Sequence, residues 1–156
     1  MADTDLVLMV NKLQALHRSV SGIKYAPPLN QYPTQLNTPS LPAVLTWVGP
    51  GRYSTKGGGW KWDVRTALIL LYIEPLAQND IPSNALKAIT TLSSLRETYI
   101  DIANIPLANE SGYQLTIESS PEMTHTDNGI EPNLSFGGAA FYGARLRVNV
   151  TLQWPS

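Results

Sequence analysis

His125 and Asp127 are the residues whose types and spacing come nearest to a catalytic or metal-binding pair. They stand two positions apart in the stretch THTDN, and an imidazole beside a carboxylate suits acid–base chemistry or metal binding. The same segment is typical of a surface turn, because Asn128 and Gly129 follow directly. The turn is the favoured interpretation, and a small hydrolase that uses His125 and Asp127 is a remote alternative.

A glycine-rich stretch, GPGRYSTKGGGW, covers residues 49–60 and raises the question of a phosphate-binding loop. A P-loop requires the order G-x-x-x-x-G-K-[ST], whereas Lys56 precedes its glycines and no helix pattern follows them. The glycine spacing of a dinucleotide-binding loop does not fit either. We therefore predict a pliable, basic hairpin loop over residues 49–59, in which Arg52, Tyr53 and Lys56 contact a partner or a phosphate backbone.

The sequence carries no further signature of an enzyme. Cysteine is absent, so the chain has no disulfide, no thiol nucleophile and no cysteine ligand for zinc. The nucleophile motif G-x-S-x-G does not occur. His17 falls on an apolar helical stripe, which is typical of a core histidine whose hydrogen bonds are satisfied. We expect a protein that is not an enzyme and that has no catalytic residue, metal site or cofactor.

Charge and composition favour a protein without a general attraction to nucleic acid or membranes. Lys and Arg number 11 against 12 for Asp and Glu, and charged residues make up 15% of the 156 residues. A charge-poor surface favours an assembly subunit, although an ordinary small domain explains it equally well. The longest apolar run, residues 67–73, is far shorter than the roughly 20 residues of a membrane span. We expect a single soluble domain that is made and used inside the cell.

Two segments have the apolar spacing of amphipathic helices. In residues 4–20, apolar positions recur at intervals of three and four, and His17 belongs to this stripe. The second helix is predicted from Asp80 or Ser83 to about Ile102. Its predicted buried stripe consists of Ala85, Ala88, Ile89, Leu92, Leu95, Tyr99 and Ile102.

Residues 24–42 separate the first helix from the first strand and contain five prolines. They show neither a helical nor a strand period, and proline favours an extended conformation. A stretch of this length without regular structure is unusual inside a compact domain and is often functional. We predict an extended arm that has no internal reason to be ordered and that lies across a surface of its own chain or of a neighbour. Its predicted contacts include Pro27, Tyr32 and Pro33.

Strand patterns occur in residues 43–48, 60–73, 113–118 and 142–154. The first two segments would form a hairpin around the glycine-rich loop. The last strand follows a predicted loop over residues 119–138, and its Leu146, Val148 and Val150 are expected to pack against the second helix. The order of helices and strands predicts an α+β domain with a mainly antiparallel sheet of about four strands and two helices packed on one face.

Arg145 and Arg147 belong to the same face of the last strand, where alternate residues stand about 7 Å apart. Asn149, Thr151 and Gln153 continue this polar face. A solvated strand face explains the pattern, and so does a surface between subunits or one that lines a channel. On the second interpretation both arginines are contacts with a partner or with the lumen.

Four stretches together indicate a family. An N-terminal helix precedes LPAVLTW, and then come the long strand WDVRTALILLYIEP, the helix ALKAITTLSSLRETYI and the terminal GGAAFYGARLRVNVTLQW. This order resembles the tail terminator proteins of long-tailed bacteriophages, including the group of the lambda minor tail protein U, over most of the chain. Glu74 and Pro75 after the long strand, and the entry FYGA into the last strand, carry the resemblance. The arm and the loop over residues 119–138 distinguish this chain from the shortest members.

The resemblance implies a structural protein of the virion rather than an enzyme. Such proteins form a homohexameric ring on the last ring of the tail tube, end its polymerisation and present the surface that joins the head. The implied partners are further copies of the chain, the tail tube protein and the head–tail connector or stopper protein, with DNA passing non-specifically through the lumen. The implied location is the tail–neck junction, after assembly in the host cytoplasm. A connector or stopper subunit of the same neck is the near alternative, and a monomeric binding domain that uses the glycine-rich loop is a third.

Overall fold

Two α-helices and six strands make up the regular structure of this computed structural model, which describes residues 5–56, 59–76, 81–101, 106–110, 113–117 and 125–155. The helices are α1 (Asp5–Arg18) and α2 (Ile81–Asp101). The strands are β1 (Ala43–Lys56), β2 (Trp60–Pro75), β3 (Pro106–Glu110), β4 (Tyr113–Ile117), β5 (His125–Phe136) and β6 (Ala139–Pro155). Two short 3-10 turns, Leu29–Gln31 and Thr38–Ser40, lie between α1 and β1.

The long strand β6 organises the sheet, because it has neighbours along both of its edges. On one edge β2 pairs with it antiparallel from Trp60 opposite Pro155 to Pro75 opposite Phe141, and β1 lies beyond β2. The other edge is shared, since β5 pairs with the first half of β6 and β4 with the second half. The strand β3 lies outside β4. All of these strand pairs are antiparallel.

The predicted α+β class is confirmed, and the four predicted strands are present with two further ones. The loop predicted over residues 119–138 is wrong for residues 125–136, which form β5. Its sequence, HTDNGIEPNLSF, lacks strand alternation, and its pairing with β6 shifts register between Asp127 and Ile130 and again between Glu131 and Leu134. Such irregularities let a strand accommodate a glycine and a proline, while the adjacent β6 supplies the pairing partner.

Both helices contribute to the larger hydrophobic core. Its members from α1 include Met9, Val10 and Leu13, those from α2 include Ala88, Leu95 and Tyr99, and those from the sheet include Ala67, Ile69, Leu71, Leu146, Val148 and Val150. Burial of the three predicted β6 residues is therefore confirmed. Leu92 is only partly buried against this core, and Ile89 is 59% exposed, so the prediction that Ile89 is buried is wrong. At about 100° per residue, Ile89 lies roughly 120° around the helix from Leu95.

A second, smaller core lies on the opposite side of part of the sheet. It consists of Leu41, Ala43, Leu45, Tyr72, Leu134 and Phe141. Tyr25, Tyr32 and Leu36, all from residues 24–42, pack against it. The proline-rich segment thus covers one end of this sheet surface. Neither helix in the described part of the chain has the length and apolar character that crossing a membrane demands.

Candidate interaction surface

The proline-rich arm, residues 24–42, lies against its own chain along the edge of β1 that faces away from β2. The Val44 amide donates to the Tyr25 carbonyl oxygen at 2.9 Å. Further along, the Tyr32 hydroxyl donates to the Thr46 carbonyl oxygen at 2.6 Å and accepts from the Thr46 amide at 2.8 Å. These bonds correct the expectation that the arm has no internal reason to be ordered. They also satisfy backbone groups on a sheet edge that would otherwise be open to another strand.

The arm is also fixed at α1 and at the turn between β5 and β6. Gln14 Nε2 donates to the Pro27 carbonyl oxygen at 2.9 Å, and the Leu29 amide donates to Asn11 Oδ1 at 2.9 Å. A Cβ on Gly137 would lie 2.5 Å from the Thr34 carbonyl oxygen, so the arm passes close to that turn. The arm therefore extends from the first helix to the β5–β6 hairpin.

The three predicted arm contacts differ in what they offer a partner. Pro27 is buried within its own chain, so it offers a partner little side-chain surface. Pro33 is half-buried. The half-buried ring of Tyr32 meets the ring of Trp47 edge-on, with 5.2 Å between their centroids. Burial raises the pKa of the Tyr32 hydroxyl to about 12, so Tyr32 stays a neutral donor at physiological pH.

The glycine-rich stretch is paired strand rather than a loop, which corrects the prediction for residues 49–56. Between Val48 and Gly51 the register with β2 shifts by one extra residue, as in a β-bulge. A Cβ on Gly49 would collide with the Thr66 carbonyl oxygen, and one on Gly51 would lie 2.9 Å from the Arg65 side chain. The glycines at this bulge thus permit a close approach of β1 to β2. Residues 57 and 58 of the predicted loop lie outside the described residues.

Arg65 and Asp63 hold the bulge in place. Arg65 Nε donates to Asp63 Oδ1 at 3.1 Å, and Arg65 Nη1 donates to the Gly49 carbonyl oxygen at 2.9 Å. Asp63 is only 2% exposed. A buried carboxylate bound by a guanidinium is a structural pair that fixes the local register.

The strand divides the predicted contacts of the glycine-rich stretch between the two faces of the sheet. Arg52 pairs with Val64, and the next residue, Tyr53, pairs with Asp63, so the side chains of Arg52 and Tyr53 point to opposite faces. Tyr53 is exposed, and its ring lies 5.8 Å from the ring of Trp154. Lys56 ends β1, and its side chain lies outside the described part of the chain. Arg52 and Tyr53 therefore do not contribute to one contact surface, as the predicted loop required.

Beyond the arm, the sheet has a surface on the side of Arg52 that no described element covers, and we call this surface the open face. One cross-strand row on it runs from Trp47 through Leu68 to Arg147. Every residue of the open face is exposed or half-buried, and Trp47 is 40% exposed. The open face consists of Trp47, Arg52, Ser54, Trp62, Val64, Thr66, Leu68, Arg147, Asn149, Thr151 and Gln153. Its two charged members, Arg52 and Arg147, are both positive, although the net charge of the chain is −1.

Arg145 and Arg147 are both exposed on the same side of β6, as predicted. Arg145 Nε donates to Glu131 Oε2 on β5 at 3.0 Å, so its charge is already compensated within the chain. Arg147 stands beside Leu68 and opposite Thr126. Of the two predicted arginines, Arg147 is thus the one that belongs to the open face and presents its charge beside an apolar row.

The histidines contribute no catalytic arrangement in the described part of the chain. Asp127 Oδ1 accepts a hydrogen bond of 2.8 Å from the Gly129 amide, which is the short-range bond of an Asp-initiated turn. The His125 side chain lies outside the described residues. Among the residues that the structure describes, no group of three or more His, Asp or Glu side chains is placed to hold a metal ion.

His17 is a buried core residue with both ring nitrogens in hydrogen bonds. Gln14 Nε2 donates to backbone carbonyls, so Gln14 Oε1 is an acceptor, and His17 Nδ1 donates to it at 3.0 Å. Neutral His17 then accepts from the Tyr99 hydroxyl at Nε2, at 2.7 Å. Burial, aided by the charge of Arg18, lowers the pKa of His17 to about 3. The network joins α1, α2 and β1 without exposing a reactive group.

A cleft of about 450 Å³ lies between the end of α1 and the start of the arm. Its lining includes Arg18, Lys24, Tyr25, Pro28 and Gln31. Arg18 Nη1 donates to the Ala26 carbonyl oxygen at 2.7 Å, so this arginine holds the arm at the cleft wall. The wall of the cleft is therefore part of the contact that anchors the arm to α1.

Sequence reasoning missed Trp47 and Leu68 as surface residues, because both stand in apolar strand segments. Only the cross-strand register brings them into one row with the predicted Arg147, with Leu68 between Trp47 and Arg147. It also missed Gln14, whose amide joins the arm to β1 and to His17. The sequence matches no protein-family model and no curated protein.

Proposed function

We propose that this chain is a structural subunit of the neck of a long-tailed bacteriophage, in which it forms a ring that caps the tail tube. The ring, expected to be a hexamer, ends polymerisation of the tube and offers the surface that joins the head. The open face is the observation that carries this proposal. It is an extended strand surface on which tryptophan and arginine stand beside aliphatic side chains.

The residue types on the open face are those that protein interfaces use. Trp and Arg are enriched among the residues that dominate binding energy, and Lys, Glu and Asp are depleted in interface cores. Trp47 is held by the edge of the Tyr32 ring, so it loses little conformational freedom when a partner covers it. Arg147 places a charge beside Leu68, and a charge at this position favours one orientation of the partner.

The order of the elements also supports the proposal. The helix, long hairpin, second helix and terminal strand on which the resemblance to tail terminators rests occur in the expected order. A ring requires heterologous contacts, in which one surface of a subunit meets a different surface of the next. The open face supplies one such surface, and the exposed side of the arm lies directly beside it.

Deletion of the gene from the phage that carries it tests the proposal. We expect overlong tails that join no heads, and restoration of normal particles by the wild-type chain. The double variant Trp47→Asp, Arg147→Glu should fold and yet fail to restore them. The control Lys24→Glu, which makes the same charge reversal as Arg147→Glu at an exposed position, should succeed. Tails of normal length without the gene would refute the proposal. Normal tails without heads would instead assign the chain to a connector or stopper ring.

A further inference from the structure

Arg18, the last residue of α1, has hydrogen-bond donors that the described part of its own chain does not use. Its Nη1 atom donates to the Ala26 carbonyl oxygen at 2.7 Å, which fixes the guanidinium against the start of the arm. Its Nε and Nη2 atoms form the edge that binds carboxylates with two parallel bonds, and they donate to no described residue. Because Arg18 is exposed and lines the cleft beside the arm, a ligand in the cleft can reach this edge.

Arg65 shows what an arginine held in this way binds. Its Nη1 atom likewise donates to a backbone carbonyl oxygen, that of Gly49, at 2.9 Å. Its Nε and Nη2 atoms hold the carboxylate of Asp63, at 3.1 Å from Oδ1 and 3.1 Å from Oδ2. Arg18 has the same anchor at Nη1, but it forms no ion pair with any Asp or Glu that the structure describes. The comparison therefore indicates a carboxylate supplied from outside the described chain.

The Ala26 amide is a further donor on the same side of the arm. The amide and the carbonyl of Tyr25 both bond toward the start of β1. Pro27 restricts Ala26 to an extended conformation, in which successive residues direct their backbone groups to opposite sides. The Ala26 amide therefore points away from β1, as does the carbonyl that accepts from Arg18. It makes no hydrogen bond to a described residue, although Ala26 is only 2% exposed.

The rest of the cleft suits an apolar group that carries a negative charge. Ile23, Pro27 and Pro28 form an apolar part of its lining. Its volume of about 450 Å³ lies within the roughly 300–1,000 Å³ that is typical of small-ligand sites. Lys24, the other charged residue of the lining, is also positive, and the described lining contains no Asp or Glu. The cleft therefore offers positive charge and an apolar wall to the same ligand.

We infer that the cleft binds a carboxylate that is attached to a small apolar body. The Nε and Nη2 atoms of Arg18 and the amide of Ala26 donate to the carboxylate oxygens, and the apolar body lies against Ile23 and the two prolines. The carboxylate belongs either to a free organic acid or to an acidic side chain of another protein, since both present the same group. The site does not include the open face, so the inference is separate from the proposed ring.

Titration of the ¹⁵N-labelled chain with isovalerate tests the inference, because the Ala26 amide reports on the site directly. We expect a saturable shift of this amide and binding at least about tenfold tighter than that of isovaleramide, which has the same shape without the charge. Inorganic phosphate, which has no apolar part, should bind more weakly than isovalerate. Arg18→Lys keeps the charge and loses the two-bond edge, so it should weaken binding at least about fivefold. Arg96→Lys, the same change at an exposed position on α2, should leave binding unchanged.

The blocked dipeptide acetyl-Glu-Leu-amide distinguishes the two sources of the carboxylate. Binding at least as tight as that of isovalerate would assign the site to an acidic side chain of another protein, and binding of isovalerate alone would assign it to a free acid. Equal shifts of the Ala26 amide with isovalerate and isovaleramide would overturn the inference, and so would tighter binding of phosphate. Equal weakening by Arg18→Lys and Arg96→Lys would overturn it as well. Because the purified chain is used, a negative result concerns the cleft and leaves the proposed ring unaffected.

Discussion

The Nε2 atom of His17 lies 2.7 Å from the hydroxyl oxygen of Tyr99, and this hydrogen bond joins α1 to α2 inside the core. Tyr99→Phe removes the donor and leaves a buried imidazole nitrogen without a partner. We expect a loss of about 1–3 kcal/mol in the free energy of unfolding. Urea unfolding measures it, with Tyr53→Phe at an exposed ring as the control. Equal stability of the two variants would show that the bond contributes nothing net.

Burial of neutral His17 makes stability depend on pH. The pKa of His17 is lowered from 6.5 to about 3 in the folded protein. Through this residue the free energy of unfolding therefore does not change with pH above 6.5, and it decreases as the pH falls from 6.5 toward 3. In that window the unfolded chain takes up a proton that the folded chain does not, at up to about 1.4 kcal/mol per pH unit. The unfolding free energy of His17→Leu should fall less steeply below pH 6.5 than that of the wild type.

If the unfolding free energies of the wild type and of His17→Leu fell equally steeply with pH, the lowered pKa of His17 would be contradicted. A second readout does not depend on the stability of the variant. The ¹⁵N shifts of the wild-type ring should report a neutral imidazole protonated at Nδ1 at pH 5, whereas a charged ring at that pH would contradict the hydrogen-bond assignment.

Tyr32 fastens the arm to β1 through one hydroxyl that both donates to and accepts from the backbone of Thr46. Tyr32→Phe keeps the ring contact with Trp47 and removes both bonds. We expect a loss of about 1–3 kcal/mol and faster hydrogen exchange at the Thr46 amide. Tyr25→Phe, whose hydroxyl makes only a long bond of 3.4 Å, is the matched control. Unchanged exchange at Thr46 would mean that the arm is held elsewhere.

The two sides of α2 should respond differently to truncation. Leu95 is fully buried, so Leu95→Ala should cost about 2–5 kcal/mol through lost packing and a cavity. Ile89→Ala removes a similar volume from an exposed side chain and should stay within about 0.5 kcal/mol of the wild type. Thermal or urea unfolding of both variants checks this contrast. A large loss for Ile89→Ala alone would place the opposite side of the helix in the core.

Periodic segments could be predicted from the sequence, because their signal is local. The stripes of α1 and the alternation of Leu146, Val148 and Val150 follow directly from the side-chain periods of helix and strand. His17 as a satisfied core residue follows from the same stripe, although its partners Gln14 and Tyr99 do not. Ile89 shows the limit of this signal, since an apolar residue beside the stripe looks the same whether a core or a partner covers it.

The remaining features depend on contacts between residues far apart in the chain. The strand β5 has little strand character of its own and is defined by pairing with β6. Glycine is common both in mobile loops and in bulges, so the sequence alone does not distinguish them. The bulge at Gly49 and Gly51 is defined by the close approach of Arg65 from β2. The open face likewise arises from the register of β1, β2 and β6, which brings Trp47 and Arg147 together.

The length of tail tubes grown in the presence of the purified chain tests the central claim most directly. Tube protein of the same phage is polymerised with and without this chain, and the tubes are imaged by electron microscopy. The account predicts that added chain halts elongation and appears as one ring at a single end of each tube, and that Trp47→Asp, Arg147→Glu abolishes both effects. Tubes that elongate unchanged, with the chain remaining free in solution, would contradict it.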